Sequence, residues 1–268
     1  MVMEEIMKNK HTFVVLAYKE SKYLEDCIKS VLNQKYKSRV VIATSTPNKY
    51  IEKLAKKYKL DIIVNKGEKG IGVDFDFAID CGKTDLVTVA HQDDIYDYEY
   101  SYQIIEKYKK DKDSLIIFSD YYEIKNNKKV YTNLNLKIKR ILLLPLRLGG
   151  KTKFSKRNSL RFGDPICCPS VTFNKNKVST PVFKSPYKCD IDWSAWELLS
   201  RQKGSFLFVN SCLMGHRVHE ESTTTEIIND NIRTKEDFEI LKRFWPKHIA
   251  KLISRLYKNS EKSNNRIN

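Results

Sequence analysis

Two adjacent carboxylates stand where an apolar segment of the chain ends. The motif His91-Gln92-Asp93-Asp94 follows directly on the apolar residues 86–90. A continuous apolar run of this length predicts a buried strand, and the ligands of open α/β sheets bind at the carboxyl ends of the strands. Two carboxylates there can hold a divalent cation, which can in turn hold phosphates. The alternative is an Asp-rich turn or a helix cap.

A second acidic site lies at 190–196, where Asp190 and Asp192 stand beside two tryptophans. Asp192 and Trp196 are four residues apart, so on a helix they share one face. An aromatic wall partly desolvates a carboxylate, which raises its pKa and makes it a better general base. The alternative is a helix N-cap next to two tryptophans of the hydrophobic core.

Arg217 and His219 form a third candidate site. If the stretch around them is a strand, its period of two points both side chains the same way. Arginine is suited to phosphate, and imidazole to a metal or to phosphate. The hydroxyl groups of residues 222–225 are secondary candidates for phosphate contact, since that run alone reads as a loop.

The glycines between positions 67 and 72 do not form a dinucleotide-binding motif. Their spacing is not GxGxxG, and they follow the third predicted strand rather than the first. The sequence also has no Walker-type phosphate-binding loop. We therefore interpret these glycines as residues that allow a tight loop beside the active cleft.

Strands and helices alternate with short connections through the first half of the chain. Continuous apolar runs predict the strands, and apolar residues at helical spacing predict the helices. The predicted strands are 13–17, 40–43, 61–64, 86–90 and 115–118, and the predicted helices are 21–32, 47–58, a segment that ends at Gly82, and 97–110. This alternation predicts an α/β fold with a mostly parallel, doubly wound sheet.

The second half of the chain is less regular. We predict a hairpin of 121–124 and 130–132, a helical stretch 134–148, a basic loop 151–161, a strand 166–173, a helix 192–201, strands 206–209 and 212–216, and a basic amphipathic helix 234–258. Pro246 predicts a kink or break in that last helix.

Composition limits the class of partner. Lys and Arg number 49 against 33 Asp and Glu, and the net charge of +16 favours nucleic acid, an acidic membrane surface or phosphorylated substrates. The six cysteines show no zinc-ligand spacing, which predicts a reducing, cytoplasmic setting. No apolar run approaches the roughly 20 residues of a membrane span, so we expect a soluble or peripheral protein.

These segments, in this order, resemble the family 2 glycosyltransferases, which have the GT-A (nucleotide-diphospho-sugar transferase) fold. The resemblance covers roughly Thr12 to Thr225. It consists of an opening strand, loop and helix at 15–34, the segment 73–78 before the metal motif, 91–96 in place of the DxD motif, 190–199 around the catalytic base, and the late Arg-x-His at 217–219.

The resemblance implies an inverting transfer of a sugar from a nucleotide diphosphate sugar, with a UDP-sugar foremost, to a hydroxyl of a glycan or lipid-linked acceptor in cell-surface polysaccharide synthesis. It implies Mn²⁺ or Mg²⁺ as cofactor, with Asp93, Asp94 and His219 as metal ligands. Asp192 would be the catalytic base, with Asp190 as the rival for that role.

The resemblance also implies which residues contact the nucleotide sugar: Ala17, Tyr18, Glu20, Asp74, Gln92, Asp93 and Arg217. Two departures concern recognition of the base and ribose. The family usually has an Asp-rich end on its second strand, where this chain has Thr44-Ser45, and the leading position of the metal motif is His91 or Gln92 rather than Asp.

We expect a GT-A domain over 1–225, in which 1–120 bind the nucleotide sugar and a smaller half, 121–225, binds the acceptor. A basic helical extension would follow over 226–268. Two alternatives remain at this point. A sugar-phosphate nucleotidyltransferase would share the sheet, the metal and the nucleotide but would not need the acidic segment beside the tryptophans, and a nucleic-acid-binding module would not need buried carboxylates.

Basic residues outside the candidate sites suggest a membrane contact. We hypothesise that the basic loop 151–161 and the C-terminal helix lie against an anionic bilayer, which would place the protein in the cytoplasm, peripherally at the inner face of the membrane. The alternative is a solvated basic face. The helix residues concerned are Lys242, Arg243, Lys247, Lys251 and Arg255.

Overall fold

The computed structural model describes residues 10–219 and 232–264, which form a mixed α/β fold around a curled nine-stranded sheet. The sheet has the order β3-β2-β1-β4-β8-β6-β9-β5, with β7 paired to β6. Its strands are β1 His11–Ala17, β2 Arg39–Thr44, β3 Asp61–Val64, β4 Leu86–His91, β5 Ile95–Tyr96, β6 Ser114–Lys125, β7 Lys128–Val130, β8 Val171–Asn174 and β9 Ser205–Val218.

Helices cover both faces of this sheet, and a 3₁₀ turn at Cys168–Ser170 precedes β8. They are α1 Leu24–Leu32, α2 Lys49–Tyr58, α3 Ile71–Cys81, α4 Tyr100–Lys110, α5 Leu134–Leu142, α6 Leu144–Gly149, α7 Lys153–Leu160, α8 Ile191–Ser200, α9 Ile232–Leu241 and α10 Lys247–Asn264.

The first four strands pair in parallel, as the alternation of strands and helices predicts. In the ladder Ala17 lies opposite Thr44, and Leu16 lies opposite His91. Both faces of these strands are covered, which is why their sequences are continuously apolar. The carboxyl ends of β1, β2 and β4 therefore meet at one edge of the sheet.

The second half of the sheet is mixed. β8 runs antiparallel between β4 and β6, and β9 runs parallel to β6. Sequence reasoning divides β6 and β9 into two strands each, but both are continuous. The ladder between them shifts register around Asp120, so a bulge bends the pair without ending it.

The prediction of a loop over the basic segment 151–161 is wrong, because this segment contains helix α7. The Oγ1 of Thr152 accepts a hydrogen bond from the N–H of Ser155 and caps the helix. Lys156 is almost fully buried, and its ammonium donates to the carbonyls of Gln202 and Gly204, both at 2.7 Å. The predicted strand 166–173 likewise becomes the 3₁₀ turn followed by the short β8.

Two hydrophobic clusters hold the layers together, one on each face of the sheet. Helices α1, α2, α4 and α5 pack in one cluster, and α3 and α6 to α10 contribute to the other. Trp193 and Trp196 are buried, so the tryptophans of the acidic segment belong to the core. The chain leaves the helical conformation before Pro246 and resumes it at Lys247, which confirms the predicted break.

The C-terminal helices pack on the same core as the rest of the chain. Ile240, Leu241 and Ala250 are fully buried in the cluster that contains Trp196. No helix in the described part of the chain has the length and the apolar character that a membrane span requires.

A buried carboxylate connects the helices beneath the second acidic site. The side chain of Glu197 on α8 is fully buried and forms ion pairs with three arginines. Arg157 of α7 contacts it closely, Arg201 lies at 2.7 Å, and Arg243 at 3.4 Å. The guanidinium of Arg157 also donates to the carbonyl of Arg243, so this cluster joins α7, α8 and the segment after α9.

We expect Glu197→Ala to lower the free energy of unfolding by about 3 kcal/mol, because it leaves the partly buried guanidinium groups of Arg157 and Arg243 without their counter-charge. Urea unfolding followed by circular dichroism measures this loss. The matched control is Glu239→Ala, which removes a half-exposed partner of Lys242 and should cost no more than about 0.5 kcal/mol. Equal losses in the two variants would contradict the stabilising role of the cluster.

Candidate active site

The loops that follow β1 and β4 are joined by one side-chain amide. The N–H of Tyr18 donates to Gln92 Oε1, and Gln92 Nε2 donates to the carbonyl of Tyr18, both at 3.0 Å. Gln92 is thus held by backbone groups, Tyr18 exposes half of its side chain, and Glu20 is exposed. Ala17 is buried at the end of β1.

Asp74 lies where the ends of β2 and β3 meet the first turn of α3. One of its oxygens accepts from Ser45 Oγ at 2.8 Å, and the other accepts from Asn65 Nδ2 at 2.9 Å. Ser45 occupies the position where the resemblance leads one to expect an aspartate. The buried carboxylate therefore comes from α3 instead of from the end of β2.

Asp94 is fully buried and holds the end of β9 against the end of β4. Its Oδ1 accepts the N–H of Arg217 at 2.9 Å and lies 3.1 Å from Nδ1 of His216. Burial alone would lower the pKa of His216, but the charges of Asp94 and Asp93 outweigh it and raise that pKa. Both candidate segments, 91–94 and 217–219, are thereby brought together.

Asp93 and His219 lie in direct contact beside this anchor. Oδ2 of Asp93 and Nε2 of His219 are 2.9 Å apart. Arg217 donates from Nε to the carbonyl of Asp93 at 3.0 Å and stacks on the ring of Tyr23 at 4.2 Å. The same tyrosine ring packs against His219, so α1 supports both basic side chains.

The spacing of Asp93 and His219 fits one divalent ion. Two neighbouring ligands of an octahedral ion at about 2.1 Å lie about 3 Å from each other. Asp94 fits less well, because the N–H of Arg217 and the ring of His216 already occupy its oxygens. In the described residues no group of three or more His, Cys, Asp and Glu side chains converges on one ion, so a bound metal would need oxygens of the donor and water.

On the other side of the site, Asp192 faces a second carboxyl group, that of Asp164. Asp192 accepts the N–H of Trp193 at 2.9 Å, and Asp164 accepts the N–H of Ile166 at 3.0 Å. Burial raises the pKa of both groups, and the neighbouring Asp192 raises that of Asp164 further, to well above its usual range. The two carboxyl groups thus form a pair in which burial favours the protonated form of each.

Lys139 of α5 reaches both sides of the site. Burial would lower its pKa, but Tyr121, Cys167 and Asp164 raise it, so the ammonium stays charged. Its charge also acts on Asp192 and on His216. Its Nζ lies 5.5 Å from the centre of the Tyr121 ring, and its charge favours the ionised form of the carboxylates.

The pKa of the Cys168 thiol is also affected by carboxylates from both sides of the site. Burial raises its pKa well above the usual range, and Asp192 and Asp94 both add to that rise. The segment Cys167-Cys168 therefore lies between the acidic pair after β4 and the acidic pair at α8.

Asp190 has a different environment from Asp192. It is 6% exposed, and burial and then the charge of Asp237 raise its pKa to about 9. The carboxylate of Glu236, also on α9, accepts the N–H groups of Lys188, Cys189 and Asp190 at 2.7–3.1 Å. Asp190 is thus packed into the junction with α9, whereas Asp192 is half-buried beside Asp164.

Sequence reasoning missed Asp164, Lys139 and Tyr23. Asp164 stands alone between a glycine and a proline, and Lys139 is one of many lysines in a basic stretch, so neither has a local signal. Tyr23 belongs to the helical pattern of α1, which predicts a packing role. The hydroxyl groups at 222–225 lie outside the residues that the structure describes.

The chain is similar to known proteins in sequence and in fold. The sequence model described as glycosyl transferase family 2 matches residues 12–179. The solved structure of S. aureus TarS 1-349 in complex with UDP-GlcNAc is 13% identical, with 91% of this chain and 70% of that chain covered and a TM-score of 0.57. The mannosyltransferase PcManGT from Pyrobaculum calidifontis in complex with GDP-Man and Mn²⁺ is 10% identical, with 87% and 63% covered and a TM-score of 0.60. A search of curated proteins found no match.

The proton bound by Asp190 predicts a pH-dependent stability. Asp has a pKa of about 3.9 when unfolded, whereas that of folded Asp190 is about 9. Between these values the folded state holds an extra proton, so its stability falls as pH rises, by up to about 1.4 kcal/mol per pH unit. We expect Asp190→Asn, relative to wild type, to gain stability from pH 5 to pH 8.

Urea unfolding of both proteins at several pH values measures the difference. Asp97→Asn is the control, because Asp97 is exposed and replacing it should leave the pH dependence unchanged. Parallel stability curves for wild type and Asp190→Asn would rule out the bound proton.

Proposed function

The chain belongs to glycosyl transferase family 2, and on that basis we propose that this glycosyltransferase moves a sugar from a nucleotide diphosphate sugar to a hydroxyl group with inversion. The observation that carries the proposal is the pair formed by Asp93 Oδ2 and His219 Nε2 at 2.9 Å. This pair can share a Mn²⁺ or Mg²⁺ ion that also binds the diphosphate of the donor. Family membership favours this reaction over the nucleotidyltransferase and nucleic-acid alternatives.

We assign the donor to the edge of the sheet formed by the ends of β1, β2 and β4. Two proteins of similar fold support this class of donor, since TarS has been solved with UDP-GlcNAc and PcManGT with GDP-Man and Mn²⁺. We propose UDP as the nucleotide of this enzyme. Ala17, Tyr18, Glu20 and Asp74 would surround its base and ribose, with Gln92 holding the Tyr18 loop in place.

The phosphate side of the donor would lie at Asp93 and Arg217. A bound divalent ion would supply positive charge to the departing nucleoside diphosphate. Arg217 is buried, and its guanidinium is fixed by the carbonyl of Asp93 and the ring of Tyr23, so it needs little reorganisation to add a second positive charge. We assign Asp94 to the positioning of this arginine rather than to the ion.

We assign the catalytic base to Asp192, which would take the proton of the acceptor hydroxyl as its oxygen attacks the anomeric carbon. Asp190 is the weaker candidate, because α9 covers it. Burial would raise the basicity of Asp192, which a general base requires, and Asp164 would lie beside it. Lys139 would hold the acceptor or balance the charge of the pair.

The acceptor would bind to the second half of the chain. We propose that residues 1–120 bind the donor and 121–225 the acceptor, with 226–268 as a C-terminal extension, and that the acceptor is a glycan or a lipid-linked sugar in polysaccharide synthesis. Strand β6 crosses the boundary at residue 120, so the two halves share one sheet. The net charge of +16 supports an anionic acceptor and a peripheral position at the inner face of an anionic membrane.

Asp93→Asn and His219→Gln should each remove the Mn²⁺-dependent part of donor binding. In wild type, UDP with Mn²⁺ should raise the melting temperature more than UDP alone, since a ligand at 100 times its Kd adds about 2.7 kcal/mol. Thermal unfolding with and without Mn²⁺ measures the effect, and Asp97→Asn serves as the exposed control. A full Mn²⁺ effect in either variant would refute the assigned metal pair.

Asp192→Asn should lower turnover by about 10²- to 10⁴-fold, because the base is lost, and should leave stabilisation by UDP unchanged. Asp190→Asn should keep most of the activity. The assay is release of UDP, with the nucleotide sugar that gives the largest Mn²⁺-dependent stabilisation in a screen. If Asp190→Asn is inactive and Asp192→Asn is active, the assignment of the base is wrong.

A further inference from the structure

One stretch of the chain combines strong positive charge with exposed apolar side chains. Residues 134–163, which contain helices α5, α6 and α7, include nine Lys and Arg and no Asp or Glu. Their apolar residues are not all buried. The exposed ones on the three helices, which we call the α5–α7 face, are Leu134, Ile138, Ile141, Leu144, Leu148 and Phe154.

Four of these apolar side chains expose more than half of their surface. Leu148 is 92% exposed, Phe154 75%, Leu134 70% and Ile141 62%. Contiguous exposed apolar surface on a protein that is otherwise well packed marks an interaction site. The exposed lysines Lys137, Lys151 and Lys153 accompany them along the three helices.

The exposed side chains belong to three helices that contact one another. On α5, positions 134, 138 and 141 repeat at helical spacing, while Leu136 is buried in the core. Leu146 of α6 and Leu160 of α7 are also buried, but in the other hydrophobic cluster. Each helix thus turns one apolar side inward and another to solvent.

We propose that the α5–α7 face docks on an anionic lipid bilayer. Apolar residues with basic neighbours on short helices that lie flat on a protein match the interfacial binding of amphipathic helices. Complementary charge selects anionic lipids as the occupant, since the whole stretch lacks acidic residues. The inference rests on the peripheral location proposed above and names the surface that makes the contact.

The position of the face suits an acceptor that arrives from the membrane. Ile138 and Lys139 are neighbours on α5, and the first belongs to the exposed face while the second acts on Asp192. Helix α5 therefore spans the short distance between the bilayer and the carboxylate pair.

Three basic residues of the segments that were predicted to contact a membrane point into the protein instead. Lys156 is buried, Arg157 pairs with Glu197, and Arg243 contacts Glu197 and Tyr187, so these three point inward. On the C-terminal helix α10, Leu252 and Leu256 are exposed and offer a rival contact. The experiment must separate this helix from the α5–α7 face.

Sedimentation of the full chain with phospholipid vesicles tests the proposal. Wild type should bind vesicles of phosphatidylcholine and phosphatidylglycerol at 3:1, bind pure phosphatidylcholine far more weakly, and release as salt rises. Leu148→Ser with Phe154→Ser should weaken binding about tenfold or more, because two exposed apolar side chains no longer enter the bilayer. Leu252→Ser with Leu256→Ser should leave binding unchanged.

Charge reversal provides the second matched comparison. Lys151→Glu with Lys153→Glu should weaken binding at least about 25-fold, since each basic charge near an anionic surface is worth about fivefold. Lys53→Glu with Lys56→Glu makes the same change in net charge on α2, which packs beside β3 at the far edge of the sheet, and should have a much smaller effect.

Failure of wild type to bind anionic vesicles, equal binding to both kinds of vesicle, or loss only in the α10 variant would each overturn the proposal. Thermal unfolding confirms that the surface variants are folded. Stabilisation by UDP with Mn²⁺ is measured on the same proteins. Normal UDP stabilisation without vesicle binding would refute the docking face and leave the donor site standing, whereas vesicle binding without UDP stabilisation would refute only the donor site.

Discussion

The site depends on one buried carboxylate. Asp94 is fully buried, and the N–H of Arg217 and the ring of His216 satisfy its oxygens. An isolated buried charge would be very costly, so the end of β9 must stay at the end of β4 for the fold to keep its stability. Arg217 and His219 are placed beside Asp93 as a consequence. The two adjacent aspartates differ in their contacts. Asp94 binds the end of β9, and Asp93 contacts His219 at the candidate site.

The opposite side of the cleft is held by a different use of buried carboxylates. Glu236 accepts hydrogen bonds from three backbone N–H groups just before α8, and Glu197 of α8 forms ion pairs with three arginines. Asp192 therefore projects from a helix that is fixed at its start and along its length. A general base, the role that we propose for Asp192, must keep its distance to the reacting oxygen, and these contacts would provide that rigidity.

The strands and helices of the first half could be predicted because each is marked by its own residues. The motif at 91–94 and the pair at 217–219 could be predicted as a site because strand ends and alternation determine where such side chains point. The contacts of Asp164, Lys139 and Asp237 could not, because they arise only when α5 and α9 pack against α8. The helix in the basic segment 151–161 could not be predicted for a similar reason. Charge predicts exposure, yet the ammonium of Lys156 is buried and donates to two carbonyls.

The place of β8 in the sheet affects how the chain is made. Strand β8 fills the position between β4 and β6, so β4 has no partner on that side until residues 171–174 have been synthesised. About 80 residues separate the paired positions, as between Thr88 and Thr172. During that interval an emerging sheet of β1 to β4 has an apolar, unpaired edge. The synthesis of residues 92–174 is therefore a stage at which this edge can associate with other chains.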